Sequence, residues 1–192
     1  RVDGDELVYI IANAWNESGD LKSNTVEGTK MTNIGIRLAF SEIGVNFIEA
    51  DVGDRNVMDQ LIENKAELGG EGSGHIICLN KSTSGDGIIA ALAALSAVID
   101  MNQPLSELRK CLKKFPQKLI NLDIGNKISI NELEAKPLIE ETEKSLGNEG
   151  QVLIRYSGTE PKIRILVEGK DHAYVESQAS KIADSIHNQI GV

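Results

Sequence analysis

Aromatic side chains are scarce in this sequence: Phe, Trp and Tyr together make up 4% of it. Any core must therefore be aliphatic, and an apolar fraction of 41% is enough to supply one. The two cysteines, Cys78 and Cys111, have no metal-ligand spacing. They read as reduced thiols of a cytoplasmic protein, with Cys78 inside the strand-like run HIICL. No apolar run is long enough to span a bilayer, and the longest, Ile88 to Ile99, reads as an alanine-rich amphipathic helix. The start, Arg1-Val2-Asp3-Gly4-Asp5, is polar and acidic, unlike a signal peptide, and has no initiator Met, as expected of a piece of a longer chain. Cations are outnumbered: 20 Lys and Arg against 29 Asp and Glu leave a net charge of −9. That balance argues against a nucleic-acid or membrane partner, since both favour basic surfaces. An anion site in such a protein has to be a local cationic pocket. No His, Asp or Glu cluster has metal-ligand spacing, so no metal site is expected within this chain.

What is present is an alternation of helices and strands. The 192 residues fit one large domain or two small ones. Asp5 to Trp15 reads as a helix, with Leu7, Ile10, Ile11 and Ala14 on one face and the acidic start favouring its N-terminus. Thr25 to Lys30 is short and polar and receives no element. Ile34 to Ile43 is a helix stopped by Gly44, and Val45 to Ala50 is a strand. A helix over Val57 to Asn64, a glycine-rich loop, a strand at Ile76 to Leu79 and a long helix from Asp86 to Asp100 follow. This part reads as a parallel α/β layer. Pro104 opens a helix over Leu105 to Lys113, and Phe115-Pro116 breaks it, marking a boundary. Beyond it come a strand at Leu119 to Leu122, a helix near Pro137 to Leu146, two strands and a last helix near Ala173 to Ile190. The expected fold is a parallel-sheet α/β domain followed by a smaller α+β C-terminal domain.

Four loops carry polar groups that chemistry could use. The first is VLIRYSGTEPKIRILVEG, Val152 to Gly169. Arg155 and Arg164 offer planar guanidinium forks, and Ser157 and Thr159 offer hydroxyls. Gly158 lets the backbone turn its N–H groups inward, and Pro161 stiffens the exit. This set suits a phosphate dianion; an ordinary hairpin with solvated arginines is the alternative. Glu160 is placed to orient one arginine. The second loop is Gly70-Glu71-Gly72-Ser73-Gly74-His75. Glu71 and Ser73 can bond vicinal sugar hydroxyls, and His75 can shuttle a proton near neutral pH. A glycine turn with a structural His accounts for the same residues. The third, Val52-Gly53-Asp54-Arg55, is either a ligand-facing loop or a turn with an internal Asp–Arg pair. In the fourth, Ser82 to Gly87, capping of the following helix by Asp86 explains the residue types.

Together these stretches resemble one family. RYSGTEPKIRILVEG is similar to the phosphate-binding loop of the α-D-phosphohexomutases, and GGEGSGHII to their sugar-binding loop. DVGDRNV, STSGDGI and VDGDELVYIIA resemble the bacterial phosphoglucosamine mutase branch, so the likeness runs along nearly the whole chain. Gly72 stands where Gln, Asn or Met is usual and Asn56 where an aromatic is usual.

The resemblance implies the C-terminal half of a four-domain enzyme: residues 1–20 as the tail of the second domain, 21–114 as the sugar-binding third, and 118–192 as the phosphate-binding fourth. It implies interconversion of glucosamine 6-phosphate and glucosamine 1-phosphate through a phosphoserine and a glucosamine 1,6-bisphosphate intermediate, on the route to UDP-N-acetylglucosamine and peptidoglycan. Neither the phosphoserine loop nor the Mg²⁺ loop is in this sequence, so the chain is expected to be inactive alone. Arg155, Ser157, Gly158, Thr159 and Arg164 would hold the non-reacting phosphate, which removes Ser157 as a nucleophile. Glu71 and Ser73 would bind the sugar, Arg55 would line the cleft, and His75 is the candidate acid/base. The whole enzyme could pair as a homodimer through its first domain. Two other readings stay open: a phosphomannomutase or phosphoglucomutase, and a non-catalytic sugar-phosphate-binding module.

Overall fold

A computed structural model describes residues 2–110 and 112–192, so the expectation for Cys111 lies outside the described residues. The chain divides into two compact units, Arg1–Lys114 and Phe115–Val192.

Unit 1 begins with helix α1 (Gly4–Ser18). Asp3 caps it, accepting from the Glu6 N–H while Glu6 accepts from the Asp3 N–H, a reciprocal capping box. Read as the tail of a preceding domain, α1 packs within unit 1: Val8, Ile10, Ile11, Ala12 and Trp15 are in its core. The sheet consists of β1 (Thr25–Thr29), β2 (Asn46–Ala50), β3 (Leu68–Gly70) and β4 (Ile76–Cys78), in the order β2-β1-β3-β4. The polar segment left without an element is thus β1, central and buried at every residue. Its sequence, TVEGT, shows no apolar alternation because both faces are covered. The expected parallel layer needs one correction: β2 and β3 run parallel to β1, but β4 runs antiparallel to β3. A five-residue loop, Glu71 to His75, joins β3 to β4 and is too short for a crossover, which forces that direction.

Helices α2 (Ile34–Glu42), α3 (Asp54–Asn64) and α4 (Gly87–Asp100) complete the layers. As expected, Asp86 caps α4, accepting from the Ile88 and Ile89 N–H groups at 2.8 and 3.1 Å. The short α5 (Leu105–Leu108) ends well before Lys113. The amphipathic reading of α4 fails: one side packs on α1, and Ile88, Leu92, Leu95 and Ile99 on the other are exposed.

Unit 2 is an antiparallel sheet of β5 (Gln117–Asp123), β6 (Gly150–Tyr156) and β7 (Lys162–Gly169), in the order β5-β7-β6. Helices α6 (Lys136–Leu146) and α7 (His172–Ile190) pack on one face. Ile163, Ile165 and Val167 point into that aliphatic core with Val175, Ala179, Ile182 and Ile186. Strand alternation therefore sends Arg164, Leu166 and Glu168 to the opposite face.

Candidate functional site

The Val152 to Gly169 stretch is the β6–β7 hairpin, and its register decides the geometry. Arg155 lies directly opposite Arg164, so both guanidinium stems rise from the same sheet face. Opposed residues of an antiparallel pair have Cβ atoms about 5 Å apart. Asn121 of β5 adjoins Arg164 on its other side, which makes a polar row across three strands. Glu160 pairs with both neighbouring cations, 3.1 Å from Lys162 and 3.3 Å from Arg164. The Lys162 ammonium, and less strongly the Arg164 guanidinium, hold the Glu160 carboxyl below its usual range. Arg164 Nε is buried and has no hydrogen-bond partner. A buried N–H of this kind, on a charged group beside a second guanidinium, is fitted to accept an anion.

The loop itself differs in part from the expected cradle. Ser157 is buried, and its N–H donates to the Lys162 carbonyl at 2.8 Å, closing the hairpin. Its Oγ accepts from the Glu160 N–H at 3.2 Å and from the Thr159 N–H at 3.4 Å. Ser157 is thus a brace inside the turn, and those two amides are spent on it. Gly158 does not take a positive φ. A Cβ at Gly158 would meet nothing within 4 Å, so its value there is open approach to the backbone. Sequence reasoning missed Lys127, whose Nζ donates to the Ser157 carbonyl at 3.2 Å and lies 5.5 Å from the Tyr156 ring. Nothing local in the sequence couples residues 30 positions apart.

In unit 1 the glycine-rich loop joins β3 to β4. The Glu71 N–H donates to the His75 carbonyl (3.0 Å) and the Gly74 N–H to the Glu71 carbonyl (2.9 Å). Gly74 needs its glycine, with φ +99°, a conformation closed to most side chains. Glu71 is oriented from the third motif, where the Gly53 N–H donates to its Oε1 at 2.9 Å. Gly53 has φ +127° and begins α3. The Asp–Arg pair expected inside that motif does not form between side chains. Asp54 lies 3.8 Å from His75 Nε2, and Arg55 lies 3.9 Å from Asp59 with its side chain 91% exposed. His75 packs against Gly85, where a Cβ would collide with its Nε2. The third and fourth motifs therefore flank the second: one orients Glu71 and faces His75, the other makes room for the imidazole.

Ser73 is exposed at the mouth of an open pocket of about 590 Å³, shared with Asp3, Glu6, Arg109 and Lys114. Arg109 bonds the buried Glu6 carboxylate through Nε (3.0 Å) and Nη2 (2.6 Å), and Lys114 pairs with Asp3. The Gly4 N–H donates to the Gly72 carbonyl at 3.1 Å, so the start of α1 supports the loop directly. Each unit thus gathers its own expected residues: Glu71, Ser73 and His75 in one, and Arg155, Ser157, Gly158, Thr159 and Arg164 in the other. No group of three or more His, Cys, Asp or Glu among the described residues is placed to hold a metal ion. No described helix is long and apolar enough to cross a membrane.

The architecture is a mixed α/β unit carrying a carboxylate–histidine loop, followed by a small antiparallel unit with an arginine-lined hairpin. Residues 3–115 match the phosphoglucomutase/phosphomannomutase α/β/α domain III, and residues 100–185 match the C-terminal domain of the same proteins. The chain belongs to that family. A phosphoglucosamine mutase of Ruthia magnifica is 49% identical over 186 residues, covering 95% of this chain and 42% of the relative. That of Methylococcus capsulatus is 44% identical over 189 residues, covering 96% of this chain and 41% of the relative. The chain therefore spans about two fifths of the length of these curated relatives, matching their C-terminal part. An N-acetylphosphoglucosamine mutase of Aspergillus fumigatus, solved with GlcNAc-6P and magnesium, superposes with a TM-score of 0.78 over 96% of this chain and 46% of its own. At 16% identity that likeness speaks for the fold alone.

Proposed function

We propose that this chain is the substrate-holding part of a cytoplasmic phosphoglucosamine mutase, which interconverts glucosamine 6-phosphate and glucosamine 1-phosphate by way of the 1,6-bisphosphate. The observation that carries the reading is the Arg155–Arg164 cross-strand pair with its buried, unpartnered Arg164 Nε–H. Two guanidinium forks on one face hold a dianion without contacting the sugar ring. That suits a reaction in which the sugar is bound in two orientations and either phosphate is the idle one. Thr159 and the open backbone at Gly158 complete the grip, while Ser157 and Lys127 keep the loop in shape.

In the sugar loop, Glu71 has one oxygen held by Gly53 and can use the other to accept from ring hydroxyls. Ser73 adds a second polar contact, and Arg55 reaches into solvent from the adjoining helix start. His75, facing Asp54, is the acid/base group near the reacting oxygen. Magnesium and the phosphoserine belong to the rest of such an enzyme, since the described residues hold no fitting metal ligands and Ser157 is committed to the turn. A homodimer of the whole enzyme and a place on the route to UDP-N-acetylglucosamine and peptidoglycan complete the proposal.

Isothermal calorimetry tests the division of roles. Arg155→Ala removes charge-assisted bonds, each contributing on the order of 1.5–3 kcal/mol, so affinity for inorganic phosphate should fall about 10- to 100-fold. Glu71→Ala should leave phosphate binding intact and weaken glucosamine 6-phosphate. Equal losses in the two variants would sink the assignment. The purified chain should show no mutase turnover; turnover would overturn the half-enzyme reading.

A further inference from the structure

Asp5 is a buried carboxylate that the chemistry above leaves without a task. It is the second residue of α1, where an acid favours the helix start. An exposed acid would serve that end equally well, but Asp5 is 6% exposed. Burying a carboxylate is costly unless it is bonded. Its Oδ2 accepts from the Asn33 N–H at 3.2 Å, and Asn33, itself buried, is the N-cap of α2. Two helix N-termini therefore meet at this one side chain, and their partial positive charges stabilise it. The sugar loop lies against it. A Cβ at Gly72 would sit 3.3 Å from both Asp5 carboxylate oxygens, so the inner side of Gly72 rests on the carboxylate. The backbone beside it is as tight. A Cβ at Gly4 would collide with the Glu71 carbonyl oxygen and the Gly74 nitrogen, and the Gly4 N–H donates to the Gly72 carbonyl at 3.1 Å. Gly72, Ser73 and Gly74 are exposed on their other side.

We infer that Asp5 is a positioning residue for sugar recognition: seated against Gly72 and tied to the start of α2, it sets the directions from which Glu71 and Ser73 meet the ring hydroxyls. Those two side chains flank Gly72 in the chain, so a shift of Gly72 re-aims both. The Gly53 N–H already holds the far end of Glu71, and Asp5 fixes the backbone from which that side chain grows. Gly72 fits the same scheme, since a Cβ there would press on the carboxylate and lift the loop. Asp5 acts through the loop and not on the sugar. The inference rests on the assignment of this loop to the sugar, and its test separates the two.

Calorimetry with glucosamine 6-phosphate and amide hydrogen exchange test it on the 192-residue chain, with Trp15 fluorescence reporting that unit 1 is folded. Asp5→Ala should lower glucosamine 6-phosphate affinity about 10-fold, the equivalent of one hydrogen bond to a charged group. Affinity for inorganic phosphate, assigned to unit 2, should not change. The Glu71 and Gly74 N–H groups, bonded within the loop at 3.0 and 2.9 Å, should exchange about 10-fold faster. Asp5→Asn keeps the size and an acceptor for the Asn33 N–H, so it should recover most of both losses. A carboxylate that only stabilises α1 would lower the melting temperature and move neither readout. Gly72→Ala should weaken sugar binding in the wild-type background and have less effect on top of Asp5→Ala, where the space beneath residue 72 is free. Unchanged affinity and exchange in Asp5→Ala would overturn the inference, as would an Asn variant as weak as the Ala variant or additive losses in the double variant. If Asp5→Ala does not fold, Gly72→Ala and Asp5→Asn decide: a loss in the first with near-normal affinity in the second supports the inference, and any other pairing overturns it. If the wild-type chain binds no glucosamine 6-phosphate, the sugar-loop assignment fails and this inference falls with it, whereas normal wild-type binding with an unaffected Asp5→Ala overturns the inference alone.

Discussion

Glu27 offers the most exposed test of the energetics, because its carboxylate sits in the middle of β1 with no access to water. The Asn64 amide donates to Oε1 at 3.1 Å, but Oε2 is buried without a partner. Burial raises the carboxyl pKa from 4.5 to about 7, with the Asn64 bond opposing and the nearby Glu63 charge adding to the rise. A folded pKa above the unfolded one means that the native state binds the proton more tightly. The stabilising contribution is therefore full below about 4.5 and is lost as pH rises through about 7. At 1.36 kcal/mol per unit, the whole swing is about 3 kcal/mol. The chain has one tryptophan, Trp15, in the core of unit 1, so its fluorescence in urea reports that unit selectively. Wild type should lose about 1.5 M in urea midpoint between about pH 5 and pH 8, for a slope of about 2 kcal/mol/M. Glu27→Gln keeps the acceptor for Asn64 and cannot ionise, so the difference between the two curves isolates this carboxyl from every other titrating group. Parallel curves across that range would refute the reasoning.

Arg109→Ala should destabilise unit 1 by about 2 kcal/mol, read by the same fluorescence. It strands the Glu6 carboxylate, 5% exposed, although the partial exposure of Arg109 keeps the cost below the 3–5 kcal/mol of fully buried pairs. Gly85→Ala pushes a methyl into the His75 ring, so the His75 Cε1–H resonance should move and glucosamine 6-phosphate affinity should drop, with phosphate affinity unchanged. Arg155→Gln should abolish the rise in the melting temperature of unit 2 that added phosphate produces in wild type, read by scanning calorimetry.

Sequence patterns exposed the elements whose signals are local. The Asp86 cap of α4, the acidic start of α1, the Gly44 stop and the apolar face of α7 could all be read within a few residues. Strand β1 could not: a strand covered on both faces by other layers has no alternation to detect, and TVEGT looks like a polar turn. Likewise α4 looked amphipathic because alanines dilute its apolar signal, while exposure depends on what packs around it. Within the site, the residue types were legible and the wiring was not. The Gly53 bond to Glu71, the Asp54 approach to His75 and the Lys127 brace on Ser157 all join distant positions. Ser157 shows the limit most plainly. Its side chain was expected to point at a ligand, but a short turn with two amides within reach captures the hydroxyl oxygen first.

The arginine hairpin explains why an acidic protein keeps two cations opposed across a strand pair. Like charges directly opposite each other destabilise the pairing, by up to about 1 kcal/mol. A sheet selected for stability alone would place a neutral or acidic residue at one of the two positions. Glu160 offsets part of the repulsion from the loop, but it already shares its carboxylate between Lys162 and Arg164. It also leaves Arg164 Nε without a bond. On the proposed reading, an anion with several oxygens would bond both forks and the open backbone at Gly158 together. Such an anion would offset the repulsion between the two opposed guanidinium groups as well as accept their hydrogen bonds. Phosphate affinity should consequently fall when either arginine is replaced by a neutral residue of similar size, because each replacement removes one of the two opposed forks.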